Sequence, residues 1–92
     1  NPDNLGVLNN LGGAYLGLKK NKEAIKVLEK IIGIKPTFVA YKNLSLIYIQ
    51  EQSMDKSRKI LNDAFNLFPE QKQIIEEILK HTNWFFRALA RS

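Results

Sequence analysis

Apolar residues recur every three or four positions along most of the chain, which is the period of one face of an α-helix. Polar or proline-containing segments separate these apolar stripes from one another. The stripes occupy residues 5–18, 24–32, 41–48, 60–68 and 75–89. This pattern predicts an all-α chain of about five helices with short connections.

Residues that start or stop helices stand between the stripes. Asn21, Thr37 and Ser53 each precede a stripe, where a side-chain oxygen can accept a backbone N–H bond and cap the helix. Pro36 and Pro69 follow a stripe, and proline cannot continue a helix. Because the connections are short, we expect consecutive helices to pack as antiparallel pairs.

The chain also repeats itself with a period of 33 residues. Identical residues that coincide after this shift are Asn10 with Asn43, Leu11 with Leu44, Tyr15 with Tyr48, Lys26 with Lys59, Leu28 with Leu61, and Pro36 with Pro69. A period of this length is typical of stacked helical hairpins. We therefore expect a single domain at 1–92, with repeats at 5–37 and 38–70 and a capping helix at about 71–90.

The residues at each repeat position resemble the tetratricopeptide repeat pattern, which is Trp-x2-Leu-Gly-x2-Tyr, then Ala-x3-Phe-x2-Ala, then Pro. The first unit has Leu8, Leu11, Gly12, Tyr15, Ala24, Leu28, Ile31 and Pro36 at these positions. The second unit has Tyr41, Leu44, Ser45, Tyr48, Ser57, Leu61, Ala64 and Pro69. The resemblance implies antiparallel helix-turn-helix repeats stacked as a right-handed superhelix. It also implies that residues 1–4 are the remnant of a preceding repeat, so we expect a fragment of a longer array.

The resemblance sets expectations for packing and for the turns. Small residues are expected where two helix backbones approach closely, and they are Gly12, Ala24, Ser45, Ser57 and Ala64. The glycine that is usual in the turn inside each unit is replaced by Lys19 in the first unit and by Gln52 in the second. These two replacements leave the geometry of the turns open.

The amino-acid composition gives little indication of a catalytic or metal-binding function. The chain of 92 residues has a net charge of +5, and its lysines are interspersed with acidic residues, which is typical of a solvated surface. It contains no cysteine, and His81 is its one histidine, so we predict no catalytic residue, no metal site and no cofactor. Trp84, Phe85 and Phe86 are interpreted as packing of the capping helix. The alternative is a stacking platform for single-stranded nucleic acid.

The resemblance further implies a concave groove lined by the first helix of each repeat. The lining residues that it implies are Asn9, Leu16, Lys42, Asn43, Leu46, Ile49 and Gln50. We expect apolar walls to supply affinity, while the polar side chains orient a peptide or helix of a partner protein. For Leu46 and Ile49, packing against a neighbouring helix is an equally open alternative.

The leading hypothesis is therefore a non-catalytic protein-interaction module. One alternative is a structural module that self-associates through its first hairpin, where Val7, Leu11, Ala14 and Leu18 have no preceding repeat to cover them. Another is an RNA-binding helical repeat, prompted by the net charge, although the dispersed lysines do not favour a nucleic-acid partner. No apolar run is as long as a membrane span, and we expect a cytoplasmic protein without membrane association.

Overall fold

The computed structural model describes residues 4–80, and the regular structure in this range is entirely helical. The elements are α1 (Leu5–Gly17), α2 (Asn21–Ile34), α3 (Phe38–Gln50), α4 (Met54–Leu67) and a 3-10 turn at Pro69–Gln71. Residues 72–80 are helical as well and form the described part of a fifth helix, α5. The prediction of an all-α fold with about five helices is confirmed. The predictions for His81 and for Trp84, Phe85 and Phe86 lie outside the described residues.

Side-chain caps begin two of the four complete helices. The Asn4 side chain accepts a hydrogen bond from the Val7 amide at 3.2 Å and caps α1. The predicted cap of α3 is confirmed, because Thr37 Oγ1 accepts a hydrogen bond from the Ala40 amide at 3.3 Å.

The other two predicted caps differ from expectation. Asn21 is the first residue of α2 rather than its cap, so the prediction of an Asn21 cap is wrong. The cap position belongs to Lys20, whose side chain has no acceptor for a backbone amide. Ser53 does occupy the cap position of α4, but its side chain makes no capping hydrogen bond.

Both turns inside the hairpins have the same geometry, even though neither contains glycine. Lys19 has φ 57° and Gln52 has φ 62°, so both residues are in the left-handed region. In the first turn, the Lys20 amide donates a hydrogen bond to the Tyr15 carbonyl oxygen at 2.9 Å. In the second turn, the Ser53 amide donates to the Tyr48 carbonyl oxygen at 2.7 Å. This bond pattern is the Schellman motif that commonly ends α-helices.

The two hairpins, α1–α2 and α3–α4, stack on each other through α2 and α3. A first apolar core between α1, α2 and α3 contains Leu8, Ala24, Val27, Leu28, Ile31, Ala40, Leu44 and Ile47. A second core between α3, α4 and α5 contains Tyr41, Leu61, Ala64, Ile75 and Ile78. Ile32 and Ile60 are half-buried and pack against both cores, so they connect the two hairpins.

The five small residues of the repeat pattern are all buried, as expected for positions where helices approach closely. Between α3 and α4 the contact is close enough for a side chain to reach the neighbouring backbone. The Ser57 hydroxyl donates a hydrogen bond to the Ser45 carbonyl oxygen at 3.2 Å. The Ser45 hydroxyl donates in turn to the Lys42 carbonyl oxygen at 2.7 Å, so both buried hydroxyls are satisfied.

Candidate functional site

A groove lies between the two first helices of the repeats, α1 and α3, and we call it the α1–α3 groove. It encloses a cavity of about 310 Å³. Its lining residues are Asn9, Gly12, Gly13, Leu28, Ile31, Thr37, Val39, Ala40 and Asn43. Residues of α1 and α3 form the walls, and buried residues of α2 form an apolar floor.

Two adjacent glycines of α1 give the groove its width. A Cβ atom added at Gly12 would lie 3.4 Å from Val27 Cγ1, so Gly12 faces α2 and permits close packing. A Cβ atom added at Gly13 would meet no heavy atom within 4 Å. Gly13 therefore borders open space, and the groove is wide at this point because its wall has no side chain there.

Two carboxamides provide the polar groups of the groove. Asn9 of α1 is exposed, and Asn43 of α3 is half-buried. Each carboxamide has one acceptor oxygen and two N–H donors. Within residues 4–80, neither side chain is engaged in a hydrogen bond with another residue. Both carboxamides are thus free to donate to, and accept from, polar groups of a ligand.

The remaining five residues of the predicted site do not line this cavity. Leu16 is half-buried and packs against the first core, and Ile49 packs in the same way against the second core. Lys42 is half-buried on α3. Leu46 and Gln50 are exposed on the same helix, with Leu46 at 40% exposure.

Sequence reasoning missed the contribution of the second helix to the groove. Leu28 and Ile31 form part of its floor, and Thr37 lies at its end. The available signal was the three-residue spacing of Leu28 and Ile31, which places both on the apolar face of α2. That spacing does not distinguish a floor residue from any other core residue.

The outer face of the first hairpin is apolar and uncovered. Val7 is 53% exposed, Leu11 39% and Leu18 66%, and Ala14 is exposed as well. A shallow cleft of about 290 Å³ on this face includes Val7 and Leu11, with Lys26 at its edge. We call this surface the first-hairpin face. The predicted lack of cover over these residues is confirmed.

Residues 4–80 offer neither a metal site nor a membrane-spanning helix. This range contains no group of three or more His, Asp or Glu residues arranged to hold a metal ion. None of its helices combines the length and the apolar character required to cross a membrane.

Comparison with known proteins gives one clear result. A family model described as a tetratricopeptide repeat matches the chain twice, at residues 5–38 and 39–71. No curated protein and no solved structure matches the chain. Tetratricopeptide repeats are generally protein-interaction modules and are typically non-catalytic. Two consecutive repeat matches and two stacked helical hairpins show that the chain belongs to the tetratricopeptide repeat family.

Proposed function

We propose that this chain binds a peptide or helix of a partner protein in the α1–α3 groove. The observation that carries the proposal is the pair of carboxamides, Asn9 and Asn43, which border one groove with an apolar floor. The floor supplies apolar contact, while the carboxamides orient the ligand. Because the groove lies between packed helices, the protein itself loses little conformational entropy when the ligand binds.

The other predicted residues are assigned to the margin of the same surface. Leu46 and Gln50 extend the exposed surface of α3 beyond the cavity, and Lys42 adds a positive charge that suits an acidic ligand side chain. Leu16 and Ile49 pack against the first and the second core respectively, so their part is to hold α1 and α3 in place rather than to contact the ligand.

The decisive experiment blocks the groove without disturbing the core. A peptide ligand is first selected from a displayed random library against the whole chain. Gly13→Leu places a large side chain in the open part of the groove, and we expect it to abolish binding. Gly33→Leu is the matched control, because Gly33 likewise has no heavy atom within 4 Å of an added Cβ atom and does not line the groove. Its affinity should equal that of the parent chain.

A second pair of variants tests the polar contacts. Loss of one hydrogen bond, about 1 kcal/mol, corresponds to about a fivefold weaker affinity, and we expect at least this for Asn43→Ala. Lys42→Ala should likewise weaken the binding of a ligand that has acidic side chains. Both Asn43→Ala and Lys42→Ala should keep the helical circular dichroism of the parent chain. Asn62→Ala, at an exposed position of α4, is the control. A selected ligand that binds Gly13→Leu and Asn43→Ala as tightly as the parent chain would overturn the groove proposal.

The first-hairpin face supports a second candidate function, self-association. Its exposed apolar residues recur at three- and four-residue steps from Val7 to Leu18, and exposed apolar patches mark interaction surfaces. Covering about 300 Å² of apolar surface is worth several kcal/mol at about 25 cal/mol/Å². In sedimentation equilibrium we expect the parent chain to gain mass with concentration and Leu11→Lys to remain monomeric. Leu67→Lys, at another exposed apolar position, is the control. A monomeric parent chain at high micromolar concentration would exclude this function.

A further inference from the structure

A second cleft lies between α2 and α4, with α3 as its floor, and α1 contributes nothing to it. We call it the α2–α4 cleft. It has a volume of about 300 Å³, similar to that of the α1–α3 groove. The α2–α4 cleft and the α1–α3 groove share no lining residue, so the role of the cleft is independent of peptide binding in the groove.

The floor of the cleft is aromatic and apolar. It contains Tyr41, which is 7% exposed, and the half-buried Tyr48, together with Leu44 and Ile60. The Tyr48 ring already lies near one cation of this chain, since Lys56 Nζ is 5.8 Å from its centroid. This distance is within the range of a cation–π interaction, so the ring is in a position to attract positive charge.

Two carboxylates stand on opposite sides of this floor. Glu29 belongs to α2 and Asp63 belongs to α4, and both are exposed. Within the described part of the chain, neither carboxylate has an ion-pair or hydrogen-bond partner. In a chain of net charge +5, the cleft therefore carries two negative charges that no residue between 4 and 80 neutralises by an ion pair.

The tyrosines of the floor experience these charges. Burial raises the pKa of Tyr48, and the carboxylates of Glu29 and Glu51 raise it further because they oppose a second negative charge. Burial likewise raises the pKa of Tyr41, and the Asp63 carboxylate adds to this effect. The negative field of the two rim carboxylates thus reaches the floor of the cleft from both sides.

We propose that the α2–α4 cleft binds the guanidinium group of an arginine side chain presented by a partner protein. Three observations support this occupant: a concave aromatic floor, a carboxylate on each of two facing helices, and the absence of a neutralising partner for either within residues 4–80. A guanidinium stacks on aromatic rings and has five N–H donors in one plane, so it can contact the aromatic floor with its face while its edge donates to a rim carboxylate. A lysine ammonium is a compact point charge and does not combine these two contacts in this way.

The test uses the 92-residue chain labelled with ¹⁵N and ¹³C, and its probe is N-acetyl-arginine methylamide. Gly33 lines the cleft, so its amide signal reports occupancy, as do the ring signals of Tyr41 and Tyr48. We expect these signals to shift and saturate with the arginine derivative. The citrulline derivative has nearly the same shape but no charge, and it should produce no saturable shift. The lysine derivative should bind more weakly than the arginine derivative.

Charge-removing variants then assign the binding to the rim. Exposed ion pairs contribute modestly, so Glu29→Gln and Asp63→Asn should each weaken binding about two- to fivefold. Glu23→Gln removes the same charge from an exposed position of α2 outside the cleft and should leave the affinity unchanged. Equal weakening by Glu23→Gln, or no weakening by either rim variant, would overturn the proposal. So would a citrulline or lysine derivative that binds as tightly as the arginine derivative.

Discussion

Lys19 and Gln52 hold equivalent turns in a backbone conformation that L-residues adopt reluctantly. Their φ angles, 57° and 62°, lie in the left-handed region, where Cβ approaches the following carbonyl oxygen. The hydrogen bonds from Lys20 and Ser53 back into the preceding helices require this conformation. Each hairpin therefore contains one residue that is locally strained, and the packing of the two helices maintains it.

Glycine at either turn should stabilise the protein. The left-handed conformation costs a non-glycine residue about 1–2 kcal/mol, whereas glycine loses about 0.5–1 kcal/mol more backbone entropy on folding. We expect Lys19→Gly and Gln52→Gly each to raise the free energy of unfolding by about 0.5–1 kcal/mol in urea denaturation. Lys59→Gly, at an exposed position within α4, should lower it by about 1 kcal/mol. If all three variants are destabilised alike, the turns are not strained.

At the scale of helices, two neighbouring helices approach each other closely where the side chain between them is absent or small. Gly12 brings α1 against Val27 and Leu28 of α2, while Gly13, the next residue, borders the groove. Adjacent positions on a helix point about 100° apart, so one glycine serves packing and the other serves the open surface. The same separation occurs on α3, where buried Ser45 contacts α4 and its neighbour Leu46 is exposed.

The two glycines should respond in opposite ways to substitution. A Cβ atom at position 12 would already lie 3.4 Å from Val27 Cγ1, so the larger side chain of Gly12→Leu has no room. Overpacking of this kind lowers the free energy of unfolding by about 1–3 kcal/mol or more. Gly13→Ala should be neutral or stabilising by up to about 1 kcal/mol, because alanine forms helices better and finds open space. Thermal unfolding is the measurement. A larger loss from Gly13→Ala than from Gly12→Leu would contradict the assigned helix faces.

For the molecule as a whole, the two cores are continuous rather than independent. Ile32 of α2 and Ile60 of α4 each contact both cores, so side chains of one hairpin complete the core of the other. Repeat proteins of this type gain stability from the interface between neighbouring units as well as from each unit. Because the two repeats of residues 5–71 share these core residues, we expect them to unfold together.

Substitution at this junction tests the coupling. Ile→Ala in a core costs about 2–5 kcal/mol, and Ile32 is half-buried, so we expect Ile32→Ala to cost about 1–3 kcal/mol. Amide hydrogen exchange should then show reduced protection in both α1 and α4. Ile34→Ala is the control on the same helix, because Ile34 is 44% exposed and should have little effect. Loss of protection in only one hairpin would mean that the repeats unfold separately.

Local spacing along the chain was sufficient to predict the helices, the hairpins and the family. Apolar periodicity and two prolines defined the helical segments, and the short connections required antiparallel pairing. The resemblance to the repeat family identified the small positions, and these are buried in the structure. Such features follow from sequence because each depends on residues close together in the chain or on one repeated pattern.

The tertiary structure alone decided which surface residues come together. Periodicity places a side chain on a helix face, but the way in which hairpins stack determines whether that face is covered. Leu16 and Ile49 were predicted in the groove and pack against the cores instead of lining its cavity. Glu29 and Asp63 are far apart in sequence and border one cleft only because α2 and α4 flank α3. Long-range packing sets these relationships, so no local pattern in the sequence encodes them.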